Sequence, residues 1–158
     1  MEAIDERFLE RAVELARQGM YNYQGGPFGC VVVKDGQIVG EGRNEVLATN
    51  DPTAHAEVVA IRKACTALGT FQLTDCDVYT SCEPCPMCLG AIYWARPRRV
   101  IYANTKQEAA TIDFDDAFIY TEIGKEDSQR QIPFLHHPNL KAQDLFREWD
   151  GWEGKRAY

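Results

Sequence analysis

The segment Ser81-Cys82-Glu83-Pro84-Cys85-Pro86-Met87-Cys88 stands between a short predicted strand and an apolar run that predicts a helix. Its three cysteines are spaced three residues apart, so the thiols gather around the first turn of that helix. The free N–H groups and the positive end of the helix dipole favour the thiolate form of cysteine, which is the form that binds metals. The segment therefore predicts a metal site where a strand passes into a helix.

A second segment, His55-Ala56-Glu57, supplies the groups that the cysteines lack. His55 offers a nitrogen ligand, and the Glu57 carboxyl is free to carry protons. Zinc binds nitrogen and sulfur donors in tetrahedral geometry, and a catalytic site keeps its fourth position for water. We therefore predict Zn²⁺ as the cofactor, with His55, Cys85 and Cys88 as its protein ligands.

Cys82 leaves an alternative open, because Cys₃His is also the ligand set of closed, structural zinc sites. Cys85 and Cys88 lie one helical turn apart and form a natural bidentate pair, whereas Cys82 sits at the end of the strand. A structural site also has no use for an unpaired carboxylate such as that of Glu57. We favour the catalytic site, in which Cys82 belongs to the pocket wall.

A catalytic zinc site of this kind predicts a hydrolytic reaction. Zinc lowers the pKa of bound water from about 15.7 to about 7, so hydroxide is available as nucleophile at neutral pH. Glu57 is expected to take that proton, pass it to a ring nitrogen of the substrate and protonate the leaving amine. Such acid–base catalysis is typically worth about 10² to 10⁴ in rate. Zinc and backbone N–H groups near Cys85 are expected to stabilise the tetrahedral intermediate.

The composition limits the class of protein and of partner. The chain has 158 residues, of which 45% are hydrophobic and 26% charged, as expected for one globular domain over residues 1–158. We expect no signal region and no membrane span, and six cysteines without an export signal favour a reducing, cytoplasmic location. The net charge of -7 disfavours nucleic acid as a partner and favours a small, roughly neutral substrate.

The hydrophobic pattern predicts an α/β domain. Helices are expected at residues 4–18, 52–68, 85–95, 113–123 and 139–152, and strands at 28–33, 38–43, 77–81, 98–103 and 131–136. Asp35-Gly36 is a hairpin dipeptide, while Asp51 and Pro52 are expected to begin the second helix and Gly69 to end it. Strands that alternate with helices after a hairpin predict a three-layer α/β/α fold with a five-stranded mixed sheet.

Together the two segments match the H-x-E…P-C-x-x-C signature of zinc-dependent nucleobase deaminases. Further matching residues are Asn50-Asp51-Pro52-Thr53-Ala54, Thr80-Ser81-Cys82-Glu83, Phe114-Asp115-Asp116 and the terminal Tyr158. Over essentially its whole length the chain resembles bacterial guanine deaminases of the cytidine deaminase superfamily. The zinc signature is specific to the superfamily, whereas the Phe-Asp-Asp element and Tyr158 point to guanine.

This resemblance implies hydrolysis of guanine at C2 to xanthine and ammonia, with hydroxide bound to zinc as nucleophile and Glu57 as proton shuttle. It implies that Phe28 stacks on the purine and that Asn44 binds it. It further implies that Asp116 hydrogen-bonds the amidine edge and takes part in proton transfer. Asp115 remains an alternative to Asp116, because only its position in the sequence separates the two.

The resemblance also implies a cytidine deaminase-like sheet between helices and a homodimer. In that dimer the C-terminal segment, about residues 140–158, crosses to close the other site, and the partner subunit's Tyr158 caps the pocket. Structural explanations stand beside these roles. Phe28 opens a strand and fits a core position, Asn44 is a common turn residue, and a terminal tyrosine is ordinarily frayed.

Three other functions share parts of this pattern. A deaminase of guanosine, another purine nucleoside or a related amino-heterocycle needs the same zinc chemistry with a different pocket. A tRNA adenosine deaminase needs a basic groove, which the acidic composition disfavours. A zinc-stabilised binding module without catalysis needs the ligands but not Glu57.

Overall fold

In a computed structural model, residues 4–158 are described, and the chain forms two compact units. The first unit extends through Ala117, and the second comprises Phe118–Tyr158. The first unit holds the elements α1 (Glu6–Tyr21), β1 (Gly29–Lys34), β2 (Gln37–Arg43), α2 (Val46–Thr49), α3 (Ala56–Leu68), β3 (Cys76–Cys82), α4 (Pro86–Ala95), β4 (Arg99–Asn104) and α5 (Lys106–Ala110). Both metal-binding segments of the sequence therefore lie in the first unit.

The strands form one mixed sheet in the order β2-β1-β3-β4. The pairs of β1 with β2 and with β3 are antiparallel, and β3 pairs with β4 in parallel. The predicted hairpin at Asp35-Gly36 is confirmed, because both residues have positive φ values of 50° and 73°, as a type I′ turn requires.

The prediction of a fifth strand is wrong. Residues 131–136 form no strand, and the sheet of the described residues has four strands. Pro133 lies inside this apolar run, where it cannot donate a hydrogen bond to a neighbouring strand. Leu135 is 89% exposed, so the run is apolar without being part of the core.

The predicted start of the second helix is also wrong, although its end is confirmed. α3 begins at Ala56, and the Asp51 carboxylate instead accepts hydrogen bonds from the N–H and hydroxyl of Thr53 in a preceding turn. Aspartate readily forms such local turns, so it does not commit the chain to a helix. At the other end, Gly69 takes the left-handed conformation that closes the helix. As a result His55, and not Asp51, is the N-cap of α3.

The sheet is covered by helices on both faces, which confirms the three-layer arrangement. Side chains alternate between the two faces along each strand. One face carries Cys30, Val32 and Val78, which cluster with alanines of α3. The opposite face carries Val31, Val33, Tyr79 and Ile101, which cluster with Leu15 of α1. α4 lies with α3, since Ala95 belongs to the α3 cluster.

α3 lies in direct backbone contact with β2 because two glycines on that strand leave room for it. A Cβ atom on Gly42 would lie 2.0 Å from the carbonyl oxygen of Ala56, and one on Gly40 would lie 2.5 Å from that of Ala60. Real Cβ atoms do not approach other heavy atoms so closely. The N-terminus of α3, with His55 and Glu57, is therefore placed by its contact with β2.

The second unit contains one 3₁₀ turn, Asp127–Gln129, and the helix α7 (Leu140–Gly151), while α6 (Ala117–Ile123) begins at the last residue of the first unit. The predicted helices at 113–123 and 139–152 correspond to α6 and α7, whereas α2 and α5 were not predicted. No residue between 118 and 158 is buried. In residues 4–158, no helix combines the length and the apolar character that crossing a membrane requires.

Replacing Gly42 by alanine is expected to destabilise the fold, because the new methyl group overlaps the carbonyl of Ala56. Overpacking of this kind typically costs about 1–3 kcal/mol. Urea unfolding measures the loss, with Gly151→Ala as control because nothing lies within 4 Å of a Cβ at that position. Equal stability of the two variants would contradict the close contact between α3 and β2.

Candidate active site

Three metal-binding side chains meet where the N-termini of α3 and α4 come together. His55 is the N-cap of α3, Cys85 is the N-cap of α4, and Cys88 lies in the first turn of α4. The sulfurs of Cys85 and Cys88 are each 3.5 Å from Nδ1 of His55. All three donor atoms lie within 4.8 Å of one another.

This spacing fits a tetrahedral zinc ion. Zinc binds cysteine sulfur at about 2.3 Å and histidine nitrogen at about 2.0–2.1 Å, so a tetrahedral angle sets the nitrogen and sulfur about 3.6 Å apart. The observed separations of 3.5 Å agree with that value, and Nδ1 is the ring nitrogen that faces the sulfurs. The one imidazole and two thiols leave a fourth position for water or substrate.

The electrostatics of the two thiols also suit a metal site. The hydrogen bond from Cys88, together with one from His55, lowers the pKa of Cys85 to about 4. The proton stays with Cys88, whose pKa is raised mainly by this hydrogen bond and by burial. The hydrogen bond with Cys85 in turn raises the pKa of His55. Cys85 is therefore a thiolate at neutral pH, as metal binding requires.

Cys82 does not join this group of donors. Its buried thiol donates a hydrogen bond to the carbonyl oxygen of Thr105 at a sulfur–oxygen distance of 3.8 Å. Burial raises the pKa of Cys82 to about 11, so this thiol remains protonated at neutral pH. The geometry thus supports the predicted set of three ligands and not a closed Cys₃His site.

The Glu57 carboxyl group lies beside the metal donors and is only 6% exposed. One of its oxygens accepts a hydrogen bond from the Cys88 thiol at 3.4 Å, and the other accepts one from the Thr80 hydroxyl at 3.3 Å. Burial raises the pKa of Glu57 above its usual value, so the carboxyl accepts a proton more readily than an exposed glutamate does.

Thr80 is a contact of the site that the sequence did not predict. It lies on the face of β3 that turns toward α3, two residues after Val78, so strand periodicity was the signal that could have identified it. Its hydroxyl is 3.4 Å from the carbonyl oxygen of Gly29 as well as 3.3 Å from Glu57. Thr80 therefore ties the carboxyl of Glu57 to the sheet.

Phe28 and Asn44 lie at neighbouring ends of β1 and β2. The N–H of Asn44 donates to the carbonyl oxygen of Phe28 at 3.0 Å. The ring of Phe28 packs against the α3 cluster and meets the edge of Phe114, with ring centroids 4.8 Å apart at an angle of 88°. Asn44 is only 5% exposed, and its side-chain oxygen accepts a hydrogen bond from the N–H of Val46.

The structure distinguishes Asp115 from Asp116. Asp115 is exposed, and its carboxylate accepts a hydrogen bond from the N–H of Ala117 at the start of α6. Asp116 is partly buried, and its pKa is raised by this burial and by the nearby charge of Cys85. The Asp115 side chain therefore binds the first N–H of α6, whereas Asp116 is the less exposed carboxylate and is close enough to Cys85 to respond to its charge.

Tyr158 belongs to the second unit, where it is 68% exposed. The other predicted site residues all lie in the first unit. The role of Tyr158 as the cap of a partner's pocket therefore stays a prediction.

Comparison with known proteins matches residues 2–104 to the family described as the cytidine and deoxycytidylate deaminase zinc-binding region. The chain is 56% identical to a guanine deaminase of Bacillus subtilis over 97% of its own length and 98% of the relative. The X-ray structure of guanine deaminase from the same organism superposes with a TM-score of 0.95 at 55% identity, and covers 99% of both chains. A tRNA-specific adenosine deaminase of Aquifex aeolicus is 30% identical over 91% of this chain and 92% of its own.

Replacing Cys85 by alanine is expected to abolish stoichiometric zinc binding, because only two of the three protein donors remain. Cys82→Ala is the matched control and is expected to keep about one zinc per chain, since its thiol lies outside the donor group. Elemental analysis of the two purified variants measures the zinc content of each. Loss of zinc from Cys82→Ala as well would support the Cys₃His alternative.

Proposed function

We propose, since the chain belongs to the cytidine and deoxycytidylate deaminase family, that it is a zinc-dependent enzyme that deaminates guanine hydrolytically. The products are xanthine and ammonia. The choice of guanine is supported by the similarity to a guanine deaminase over nearly the full length of both chains. The observation that carries the chemistry is the buried Glu57 carboxyl beside a nitrogen and sulfur donor set.

His55, Cys85 and Cys88 would hold the zinc ion, which supplies a Lewis acid that lowers the pKa of water at its open position. Glu57 accepts the proton released by the attacking water and delivers it to a ring nitrogen of guanine. It then takes the second proton from the hydroxyl group added at C2 and delivers it to the amine, so that the C2–N bond breaks, a C2 carbonyl forms, and guanine and water yield xanthine and ammonia. Because Thr80 and the packing around Glu57 hold the carboxyl in place, it makes both transfers without a large movement.

The purine is proposed to bind between Phe28, Asn44 and Asp116. Phe28 offers an aromatic face to a planar base, and Asn44 offers a carboxamide. Asp116 would hydrogen-bond the amidine edge and take part in proton transfer. The raised pKa of Asp116, caused first by burial, supports a carboxyl that is protonated more readily than an exposed one.

The chain is proposed to form one deaminase domain that completes itself as a homodimer, with the segment at about residues 140–158 exchanged between subunits. The exposure of the second unit supports this arrangement. The second unit buries none of its residues, although Leu145, Phe146, Trp149 and other large apolar side chains occur there. A segment that buries so little apolar surface needs a partner to be stable. The partner subunit's Tyr158 would then cap the pocket.

A tRNA substrate is the second candidate, because one relative is a tRNA-specific adenosine deaminase. The net charge of -7 opposes a tRNA substrate, since binding to a polyanion is strengthened by lysine and arginine.

The proposed location is the cytoplasm. Six free cysteines are consistent with the reducing environment there.

Replacing Glu57 by glutamine is expected to lower turnover of guanine at least about 10²-fold and to leave the zinc content unchanged. The amide keeps the shape of the side chain but cannot carry the proton. Ammonia release from guanine, guanosine, adenine and cytosine measures activity and specificity together, with the exposed Glu10→Gln as control. Undiminished turnover by Glu57→Gln would contradict the mechanism, and a preference for guanosine would redefine the substrate.

Deleting Tyr158 is expected to reduce activity at least about tenfold while zinc content stays intact, because an uncapped pocket admits water and orients the base less well. Steady-state kinetics measures the loss, and Tyr158→Phe separates the ring from its hydroxyl. Sedimentation is expected to show a dimer for the unmodified chain. An active monomer, or full activity after the deletion, would refute the capping role.

A further inference from the structure

Gly25 and Gly26 form the turn that leads through Pro27 into β1, and neither has the positive φ that would itself favour glycine. The turn is closed by a hydrogen bond from the N–H of Phe28 to the carbonyl oxygen of Gly26 at 2.8 Å. A residue with a side chain could adopt this backbone conformation. The reason for two successive glycines must therefore lie in their surroundings.

A side chain at position 25 would displace Asn44. A Cβ atom on Gly25 would lie 2.0 Å from Oδ1 and 2.8 Å from Cγ of Asn44, and 2.7 Å from its carbonyl oxygen. All three distances are below 3.0 Å, which real Cβ atoms essentially never show. The Asn44 side chain therefore occupies the space that a side chain of residue 25 would need.

The position of Asn44 also determines which end of its amide is available. The side-chain oxygen Oδ1 accepts a hydrogen bond from the N–H of Val46 at 3.2 Å. The backbone N–H of Asn44 donates to the carbonyl oxygen of Phe28. With one lone pair of the side-chain oxygen engaged by Val46, the NH₂ group is the donor that Asn44 can offer a ligand. Asn44 is thus set to donate through its NH₂ group, which suits a carbonyl oxygen or an unprotonated ring nitrogen of a purine.

A side chain at position 26 would separate two aromatic rings. A Cβ atom on Gly26 would lie 2.8 Å from Cζ of Phe114 and 3.0 Å from Cε2 of Phe28. These two rings meet edge to face with centroids 4.8 Å apart. The two glycines therefore make room for different parts of the same proposed pocket, namely the amide of Asn44 and the aromatic pair.

We propose that Gly25 and Gly26 are positioning residues of the purine pocket. Gly25 lets Asn44 take the place from which its NH₂ group donates to an acceptor atom of the base. Gly26 lets Phe114 hold the ring of Phe28 for stacking. This inference rests on the proposed function, because it takes Asn44 and Phe28 as contacts of the purine.

Gly25→Ala tests the first part. It is expected to raise KM for guanine at least about tenfold, as the loss of one substrate hydrogen bond would, with a smaller change in kcat and an unchanged zinc content. Equilibrium binding of guanine to the same variant in a Glu57→Gln background should weaken by a similar factor. Gly90→Ala is the control, because position 90 is exposed and nothing lies within 4 Å of its Cβ.

A double-mutant cycle shows whether Gly25 acts through Asn44. If it does, Gly25→Ala adds little to the KM of Asn44→Ala, because the group that it displaces is already gone. Additive effects on KM, or unchanged KM and binding in folded Gly25→Ala, would overturn the assignment.

Gly26→Ala keeps the inference testable if Gly25→Ala fails to fold, since the three atoms nearest to its methyl group all lie at the ends of two phenylalanine rings and none is a backbone atom. It is expected to raise KM for guanine with normal zinc content, and wild-type KM in this variant would overturn the second part.

The NMR signal of the Asn44 side-chain amide, assigned by its loss in Asn44→Asp, gives a readout that needs no substrate. It should shift in Gly25→Ala but not in Gly90→Ala, whereas failure of the proposed function would appear as absent guanine turnover by the unmodified chain.

Discussion

The distance of 3.5 Å from the His55 ring nitrogen to two cysteine sulfurs is the constraint on which the site depends. It requires the N-termini of two helices, which belong to segments about thirty residues apart, to meet on one face of the sheet. α3 reaches its place because Gly40 and Gly42 let its backbone touch β2, and α4 follows directly from the end of β3. The sheet and its glycines therefore set the geometry of the metal donors.

The same arrangement gives Glu57 its chemistry. His55 caps α3 and Glu57 lies in the first turn, so the ligand and the proton carrier are placed by the same helix end. The carboxyl is buried against the sheet, where Thr80 and Cys88 hold its two oxygens. Burial raises the pKa of Glu57, so this carboxyl takes up a proton more readily than an exposed glutamate.

The proposed purine pocket is constrained differently, by two positions that carry no side chain. Gly25 and Gly26 are needed for space and not for backbone conformation, in contrast to Gly36 and Gly69, whose φ values are positive. A glycine of the first kind cannot be recognised from its own torsion angles. It is recognised only from the atoms that its missing Cβ would meet.

Residue types and their spacing were enough to predict the donors His55, Cys85 and Cys88, the carboxyl of Glu57 beside them, the hairpin, the approximate limits of most helices and strands and the family resemblance. These features depend on residue type, on spacing within one segment or on alternation along a strand. The sequence misplaced the start of α3, because Asp51 caps a local turn as readily as a helix, and it predicted a strand at 131–136 that Pro133 prevents. Long-range packing establishes that the Cys82 thiol bonds to Thr105 and stays outside the donor group, that Asp116 is partly buried whereas Asp115 is exposed, and that Thr80 holds Glu57. Each of these depends on distances between residues far apart in the chain, which packing sets and local sequence does not encode.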